Sequence, residues 1–485
     1  MVGGRSTLEA ITPTTLQRRR GALDVPLNLD RAHGNRSLQV HASLRAAILD
    51  GRLVAGLRLP SSRDLAAQLA VRRNAIVGAY EHLHSDGLIE ARIGDGTYVA
   101  AHLPPRPGRS AAAPVAGTQA PGGIFALGHT HSEPQLLRRL ASAVRRRITS
   151  ATAADLGYGD PRGSEALRRQ IAITVAASRG IRCDASCIFI VNGTQQGIRL
   201  CADALLRPGD LVWMEDPGYP ATRTTLSAAG LRPVPIRVDE EGLDVAAGKR
   251  AEPRAKAVYV TPSHQFPTGV TMRMERRIAL LAWARNSGAW VLEDDYDSEF
   301  RYVGRPLPPL KSLDRADRVL YIGTFSKTLF PGLRLGYLVA PSPLVRPLVD
   351  LTMLLAPLAA ADAQATLAAF LIEGHFGRHI RRMRQLYAGR RAALAQALER
   401  QFGSGQVALG AGGMHVLLRL DDMADDREIE VACRAAGLGP SALSDFYAGP
   451  DKRRGLLLSF TNVPPDEAPA LVQRLARVLS MALRP

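Results

Sequence analysis

Lys327 stands in the run YIGTFSKTLFPGLRLGY (residues 321–337), one of only five lysines beside Lys249, Lys256, Lys311 and Lys452 in a chain that otherwise uses arginine. A lysine amine condenses with an aldehyde to an imine, which a guanidinium does not usefully do. Around it stand Thr324, Ser326 and Arg334, small hydroxyls and a fork-shaped cation of the kind that holds a phosphate dianion. A lone Ser-Lys pair is most simply a solvated turn after a buried strand. Its company in this chain argues otherwise.

Short apolar runs at Cys187–Val191, Leu211–Met214, Ala257–Val260, Ala289–Leu292 and Val319–Ile322 each read as a central strand, and each is followed by polar or glycine-rich residues. After the first comes Asn192-Gly193-Thr194-Gln195-Gln196, whose amides at a helix start would cradle a phosphate. After the second, Tyr219 offers an aromatic face; after the third comes Thr261 to Gly269. After the fourth comes Glu293-Asp294-Asp295-Tyr296-Asp297-Ser298, and after the fifth the lysine loop. Together they suit pyridoxal phosphate. The aldehyde needs Lys327, and the phosphate needs Gly193, Thr194, Thr324, Ser326 and Arg334. The pyridine ring needs a flat partner, Tyr219, and a carboxylate, Asp294, that keeps N1 protonated; the phenolate oxygen needs a donor, Tyr296. One acidic cluster after a strand is usually a solvated loop, but five such features in order leave little room for coincidence.

These residues need a scaffold. Helices alternating with buried apolar strands from Ile124 onward imply an α/β domain with a mostly parallel sheet covered on both faces. Ligand groups gather at the carboxyl ends of such strands. From about Phe370 the pattern changes to long helices and few strands, a smaller α+β subdomain. Leu348–Ile372 is the most apolar long stretch, but Asp350, Pro357 and Asp362 make it a buried helix and not a membrane span.

Ahead of this domain the period is helical from Ser37, with Leu38, Leu44, Ala47 and Ile48 on one face and Gly51 at the end. Ser61 and Asp64 open a second helix, and a third runs from Arg73 to His84. Leu88–Arg92 and Thr97–Val99, joined through Gly94-Asp95-Gly96, read as a hairpin. Three helices and a hairpin make a winged helix-turn-helix, an α+β unit that docks on double-stranded DNA. Arg72, Arg73 and Asn74 would offer side chains to base edges, while Ser61, Ser62 and Arg63 stand at the preceding helix start. Gly94 and Gly96 would let the wing backbone approach the duplex.

The totals agree. A chain of 485 residues exceeds one core. A net charge of +17 asks for a polyanionic partner. Four cysteines (Cys183, Cys187, Cys201, Cys433) make neither a disulfide framework nor a zinc set, so no metal and a reducing cytoplasm are expected. No signal peptide follows Arg18-Arg19-Arg20. The organisation expected is a loose arm over 1–25, a DNA-binding domain over 26–100, a Pro/Ala/Gly-rich linker over 101–123, and the cofactor-binding domain over 124–485.

The segment from Ser37 to Val99 resembles the GntR-type DNA-binding domain along its whole length. Residues 125 to 480 resemble a fold-type I aminotransferase through Tyr158-Gly159-Asp160-Pro161-Arg162-Gly163, Gly193-Thr194-Gln195, Asp294 with Tyr296, Lys327 and Arg334. In that fold Tyr158 would reach the phosphate of a partner subunit, which implies a homodimer, and Gln195 belongs to the phosphate loop. A GntR-type head on such a domain resembles the MocR group of bacterial transcription regulators, which includes the PdxR and GabR types. The resemblance implies a regulator in which pyridoxal phosphate, alone or with an amine co-ligand, modulates operator binding. The alternative is a working aminotransferase with an accessory nucleic-acid-binding domain. Two departures bear on that choice. Phe266 replaces the asparagine that aminotransferases place before the Pro-Thr-Gly turn, as it does in the MocR group. The late strand that usually carries a carboxylate-binding arginine reads Leu456-Leu457-Leu458, with Arg453 and Arg454 close by.

Overall fold

The structure, a computed structural model, describes residues 23, 35–103, 122–131, 133–152, 157, 159–355 and 359–482. The expected arm, apart from Leu23, most of the expected linker, and Tyr158 lie outside the described residues. The chain divides into two compact units, Met1–Thr118 and Gln119–Pro485.

The first unit holds α1 (Arg36–Leu49), α2 (Ser62–Leu69), α3 (Arg73–Ser85) and the antiparallel hairpin of β1 (Ile89–Arg92) and β2 (Gly96–Val99). Asn35 caps α1 by accepting from the Ser37 N–H, and Ser61 caps α2 by accepting from the Asp64 N–H. The buried stripe of α1 is Val40, Leu44, Ala47 and Ile48, whereas Leu38, expected on it, is exposed. At 100° per residue Leu38 falls on the far side of the helix from Val40 and Ala47. The stripe packs on Leu65 of α2 and on Ile76, Ala79 and Leu83 of α3. Leu23 joins this core and exchanges two hydrogen bonds with the Gln68 side chain, so that part of the expected loose arm is bound to the head.

In the second unit, chain order gives β3 (Ile188–Val191), β4 (Leu211–Asp216), β5 (Arg232–Asp239), β6 (Gly242–Leu243), β7 (Ala257–Val260), β8 (Trp290–Asp295), β9 (Val319–Thr324) and β10 (Gly336–Val339). They form one sheet in the order β3-β10-β9-β8-β7-β4-β5-β6. β10 is antiparallel to both neighbours and β6 to β5; the other neighbouring pairs are parallel. Three of the apolar runs continue as strand beyond the expected ends, to Asp216, Asp295 and Thr324. Glu293, Asp294 and Asp295 are therefore buried strand residues and not a loop.

A second, antiparallel sheet of β11 (Val407–Ala408), β12 (His415–Arg419), β13 (Ser441–Ala442) and β14 (Gly455–Ser459) builds the smaller subdomain with the helices His375–Phe402, Asp426–Ala435 and Ala468–Ala482. The single helix expected over Leu348–Ile372 is instead two, Val345–Leu355 and Ala361–Ile372, with Met353 and Leu354 exposed. Pro357, between them in sequence, has no N–H to continue a helix. Among the described residues no helix is long and apolar enough to cross a membrane, and no cluster of His, Cys, Asp or Glu could hold a metal ion.

Candidate functional site

Three adjacent carboxylates on β8 show how the strand sorts their roles. Successive side chains alternate between the faces of a sheet. The Glu293 carboxylate accepts from the Leu310 and Lys311 N–H groups at 2.8 Å each, capping a short helix. Asp295 pairs with Arg179 at 2.7 Å and accepts from the Tyr321 hydroxyl at 2.5 Å. Between them, on the opposite face, Asp294 Oδ2 accepts from the Tyr259 hydroxyl at 2.6 Å, while its Oδ1 is buried without a partner among the described residues. Burial pushes the Asp294 carboxyl up to about 7, only partly opposed by the Tyr259 hydrogen bond. An acceptor oxygen kept bare in a buried site is costly. A cationic N–H arriving with a ligand would satisfy it.

Lys327 follows β9, the parallel neighbour of β8. Burial holds its amine below the ordinary range, with Asp297 and Asp294 acting in the opposite direction. That favours the neutral, nucleophilic amine. Gly128 passes so close that a Cβ there would stand 3.4 Å from the Lys327 Nζ.

The residues expected to hold a phosphate lie at and around the start of the helix Thr194–Leu205. Gly193 is its N-cap at φ +91°, a conformation that glycine adopts at little cost, and leaves the first N–H groups of the helix without a side-chain cap. The Arg334 guanidinium reaches to 3.4 Å from the Asn192 carbonyl, which places its charge beside this helix start. Thr324 Oγ1 accepts from the Ser326 N–H at 3.1 Å and fixes the turn that carries Ser326 and Lys327. Gln195 accepts from Thr225 Oγ1 at 2.6 Å and lies 3.4 Å from Thr222 Oγ1. Its side chain is thus committed to the next helix.

Tyr219 and Tyr296 flank Phe266, with ring centroids 5.6 and 5.8 Å away and both edge-to-face. Tyr219 keeps 36% of its surface exposed, room for a second ring against it, and feels both Asp294 and Arg334. Phe266 also packs on Phe446 and His415. Beyond it Leu457 of β14 is fully buried with Leu417, Leu443 and Phe446. Arg454, the nearby cation, is drawn to the buried Asp426 at 3.3 Å, and Arg453 is exposed beside Tyr447.

Pyridoxal phosphate fits these groups: a buried amine, an unpaired buried carboxylate oxygen, an aromatic face and an uncapped helix start with a cation beside it. Asp294 lies within electrostatic reach of Lys327 and of Tyr219, and Tyr219 within reach of Arg334, while Tyr158 is not among the described residues. Tyr259, the partner of Asp294, was not singled out in the sequence, and His264 and Asp297 stood in the strand-end stretches without a role. The His264 Nδ1 lies 2.8 Å from the Tyr296 hydroxyl and 3.1 Å from Asp297 Oδ2. The one available signal was that His264 and Asp297 also follow apolar strands.

In the head, Arg63, Arg72, Arg73 and Asn74 are all exposed at the starts of α2 and α3. Arg73 Nε donates to Ser62 Oγ at 3.2 Å, which ties the two helix starts together. Ser61 Oγ instead bonds Asp64, at 2.6 Å, and acts as a cap. Gly94 and Gly96 turn the hairpin with positive φ, and Ile93 beside them is fully exposed. Gly96 packs on the Arg58 guanidinium, a cation that sequence reasoning did not single out.

Comparison with known proteins agrees with both units. The profile "Bacterial regulatory proteins, gntR family" matches residues 36–99, and "Aminotransferase class I and II" matches residues 128–438. The chain is 34% identical to the probable rhizopine catabolism regulatory protein MocR of Rhizobium meliloti, over 88% of this chain and 90% of that one. It is 33% identical to the pyridoxine biosynthesis transcriptional regulator PdxR of Corynebacterium glutamicum, over 90% and 94%. Among solved structures, a Pyrococcus horikoshii kynurenine aminotransferase superposes with a TM-score of 0.68 at 29% identity, covering 75% of this chain and 92% of that one. The chain belongs to the MocR-type transcription regulators, in which a GntR-type winged helix precedes a fold-type I aminotransferase-like domain that binds pyridoxal phosphate.

Proposed function

We propose that the regulator senses pyridoxal phosphate itself and changes its grip on an operator as the site fills. The carrying observation is the buried, unpartnered Oδ1 of Asp294, opposite a carboxylate oxygen already satisfied by Tyr259. When bound, pyridoxal phosphate supplies an aldehyde for a primary amine and a ring that draws electrons once its nitrogen is protonated. Lys327 is its covalent anchor, and Asp294 holds the ring nitrogen protonated. Tyr219 covers the ring face, and Tyr296 donates to the phenolate oxygen. Gly193, Thr194, Gln195, Thr324, Ser326 and Arg334, with Tyr158 of a second copy, hold the phosphate. Operator contacts come from Arg63, Arg72, Arg73 and Asn74, supported by Ser61, Ser62, Gly94 and Gly96.

The cofactor is favoured over an amino acid as signal because a carboxylated co-ligand must bury its charge. An unpaired buried carboxylate costs several kcal/mol. Where aminotransferases supply an arginine this chain places Leu457, packed with Phe446 against Phe266. An amine without a carboxylate remains compatible with that wall. The exposed Leu137, Val144 and Ile148 of the helix Pro134–Ser150, seven and four residues apart, support burial against a second copy in a homodimer. A cytoplasmic location follows from an operator as target.

The test is Lys327→Ala. The purified protein is expected to be yellow and to retain cofactor covalently on borohydride reduction, and the variant to do neither. A reduced adduct on another lysine would remove the basis of the assignment. Amino-group exchange with a keto acid at ordinary enzyme rates would instead favour an aminotransferase with an accessory DNA-binding unit.

A further inference from the structure

His264 and Asp297 follow the adjacent parallel strands β7 and β8, so the sheet brings both to the carboxyl end beside Tyr296. The His264 ring is buried and sits in a slot cut by three glycines. A Cβ at Gly413 would fall 2.0 Å from its Cε1, one at Gly410 2.9 Å from its Nε2, and one at Gly269 3.2 Å from the same nitrogen. Two of those glycines belong to the loop between β11 and β12. Space for this ring is therefore reserved by backbone from two separate parts of the unit.

One ring nitrogen faces two oxygens. Nδ1 lies 3.1 Å from Asp297 Oδ2 and 2.8 Å from the Tyr296 hydroxyl. Asp297 is 1% exposed. With the proton on Nε2 only, a carboxylate would face the Nδ1 lone pair in a buried site, which is repulsive. The proton therefore belongs on Nδ1, shared between the two oxygens. The Tyr296 oxygen then accepts, and its own hydrogen must point elsewhere. Burial, then Asp297 and Asp294, push the Tyr296 phenol well above its ordinary range, so it stays a donor. Other titratable or charged groups nearby are Lys327, which feels Asp297; Tyr259 and Glu215, which act on Tyr296; His415, 5.5 Å from His264 between ring centroids; and Arg179, Arg277 and Arg301, which line a small cavity with His264 and Asp297.

We propose that His264, held by Asp297 and the glycine slot, is a positioning residue that turns the Tyr296 hydroxyl hydrogen toward the phenolate oxygen of the cofactor. This rests on the reading of Tyr296 given above. In most aminotransferases an asparagine before the Pro-Thr-Gly turn shares that task; Phe266 cannot donate, so Tyr296 is left to do it with its direction fixed from behind.

The experiment compares absorption spectra of the holo protein at one pH, as the ratio of the visible to the near-ultraviolet band. His264→Phe should move the ratio in the same direction as Tyr296→Phe and by most of its size. Adding His264→Phe to Tyr296→Phe should change nothing further. His264→Asn, whose amide N–H takes the place of Nδ1–H, should restore the parent ratio, while His264→Gln should not. A parent-like His264→Phe spectrum beside a changed Tyr296→Phe spectrum overturns the proposal alone. An unchanged Tyr296→Phe spectrum overturns the reading of Tyr296 and the proposal with it. If His264→Phe does not fold, equal spectra for the Asn and Gln variants overturn it.

Discussion

At the start of α3, Arg72, Arg73 and Asn74 stand in solvent, and among the described residues one side-chain hydrogen bond, from Arg73 to Ser62, restrains them. At the carboxyl end of β8 nearly every polar atom is already engaged: Asp295 by Arg179 and Tyr321, Glu293 by two backbone amides, Asp294 by Tyr259 on one oxygen. The contrast follows from the two partners. A duplex brings its own charge and covers a broad face, so exposed cations suffice and each adds a modest share, much of it through released counterions. A small cofactor must find its contacts prearranged, because few groups provide all the affinity. Loss of one head contact should weaken binding by degrees. Loss of one buried contact at the cofactor should come close to abolishing it.

The comparison breaks most sharply at Lys327, where Lys327→Ala should remove all covalently retained cofactor, read by borohydride reduction and mass spectrometry. Next comes Asp294→Asn. Removing one partner of a buried charged contact costs about 3–5 kcal/mol, so cofactor affinity should fall by at least a hundredfold in equilibrium dialysis. The same change should help the apo protein at higher pH. The folded Asp294 carboxyl, at about 7, lies above the ordinary unfolded value of 3.8. Between those values the folded state binds more protons, and stability falls as pH rises. Glu215, also raised to about 7, acts in the same direction in both proteins, and His415, lowered to about 3, in the opposite one. The apo melting temperature of the Asn variant should therefore gain on the parent from pH 4 to 7 and then hold a constant lead. A difference independent of pH would contradict the burial argument.

In the head the effects should be smaller. Arg73→Ala should cost about 1–3 kcal/mol of operator affinity if it reads a base, and should chiefly flatten the salt slope if it holds a phosphate. Ser62→Ala removes only the hydrogen bond that steadies Arg73, about 0.5–1.5 kcal/mol, a few-fold to tenfold change in a gel-shift titration. No change in either variant would place the DNA on another face of the unit.

The same contrast decided what could be read from the chain. Strands buried on both faces announce themselves as apolar runs, and the residues just after them become candidates. β5 escaped because Arg232, Pro233, Pro235 and Arg237 break its apolar run, which a strand beside the short β6 at the sheet edge can tolerate. β10 starts within the last residues of the lysine stretch and was hidden by it. Asp294 could be singled out, but not distinguished by contact from Glu293 and Asp295, since that depends on which face of β8 each side chain takes. Tyr259 and the glycine slot around His264 depend on strand register and on a loop more than a hundred residues away. The exposed arginines of the head were legible because a recognition helix needs little beyond its own first turn.

The central claim is that cofactor occupancy changes the hold on DNA. Pyridoxal phosphate can shift operator binding only if it binds the two DNA-competent states unequally. The direct measurement is operator affinity of apo and holo protein at one fixed salt concentration, using DNA from upstream of the gene that encodes the chain. Different affinities are expected for the two forms, with the difference absent in Lys327→Ala. Equal affinities, with a change appearing only when an amino acid is added, would contradict it and assign the signal to a co-ligand.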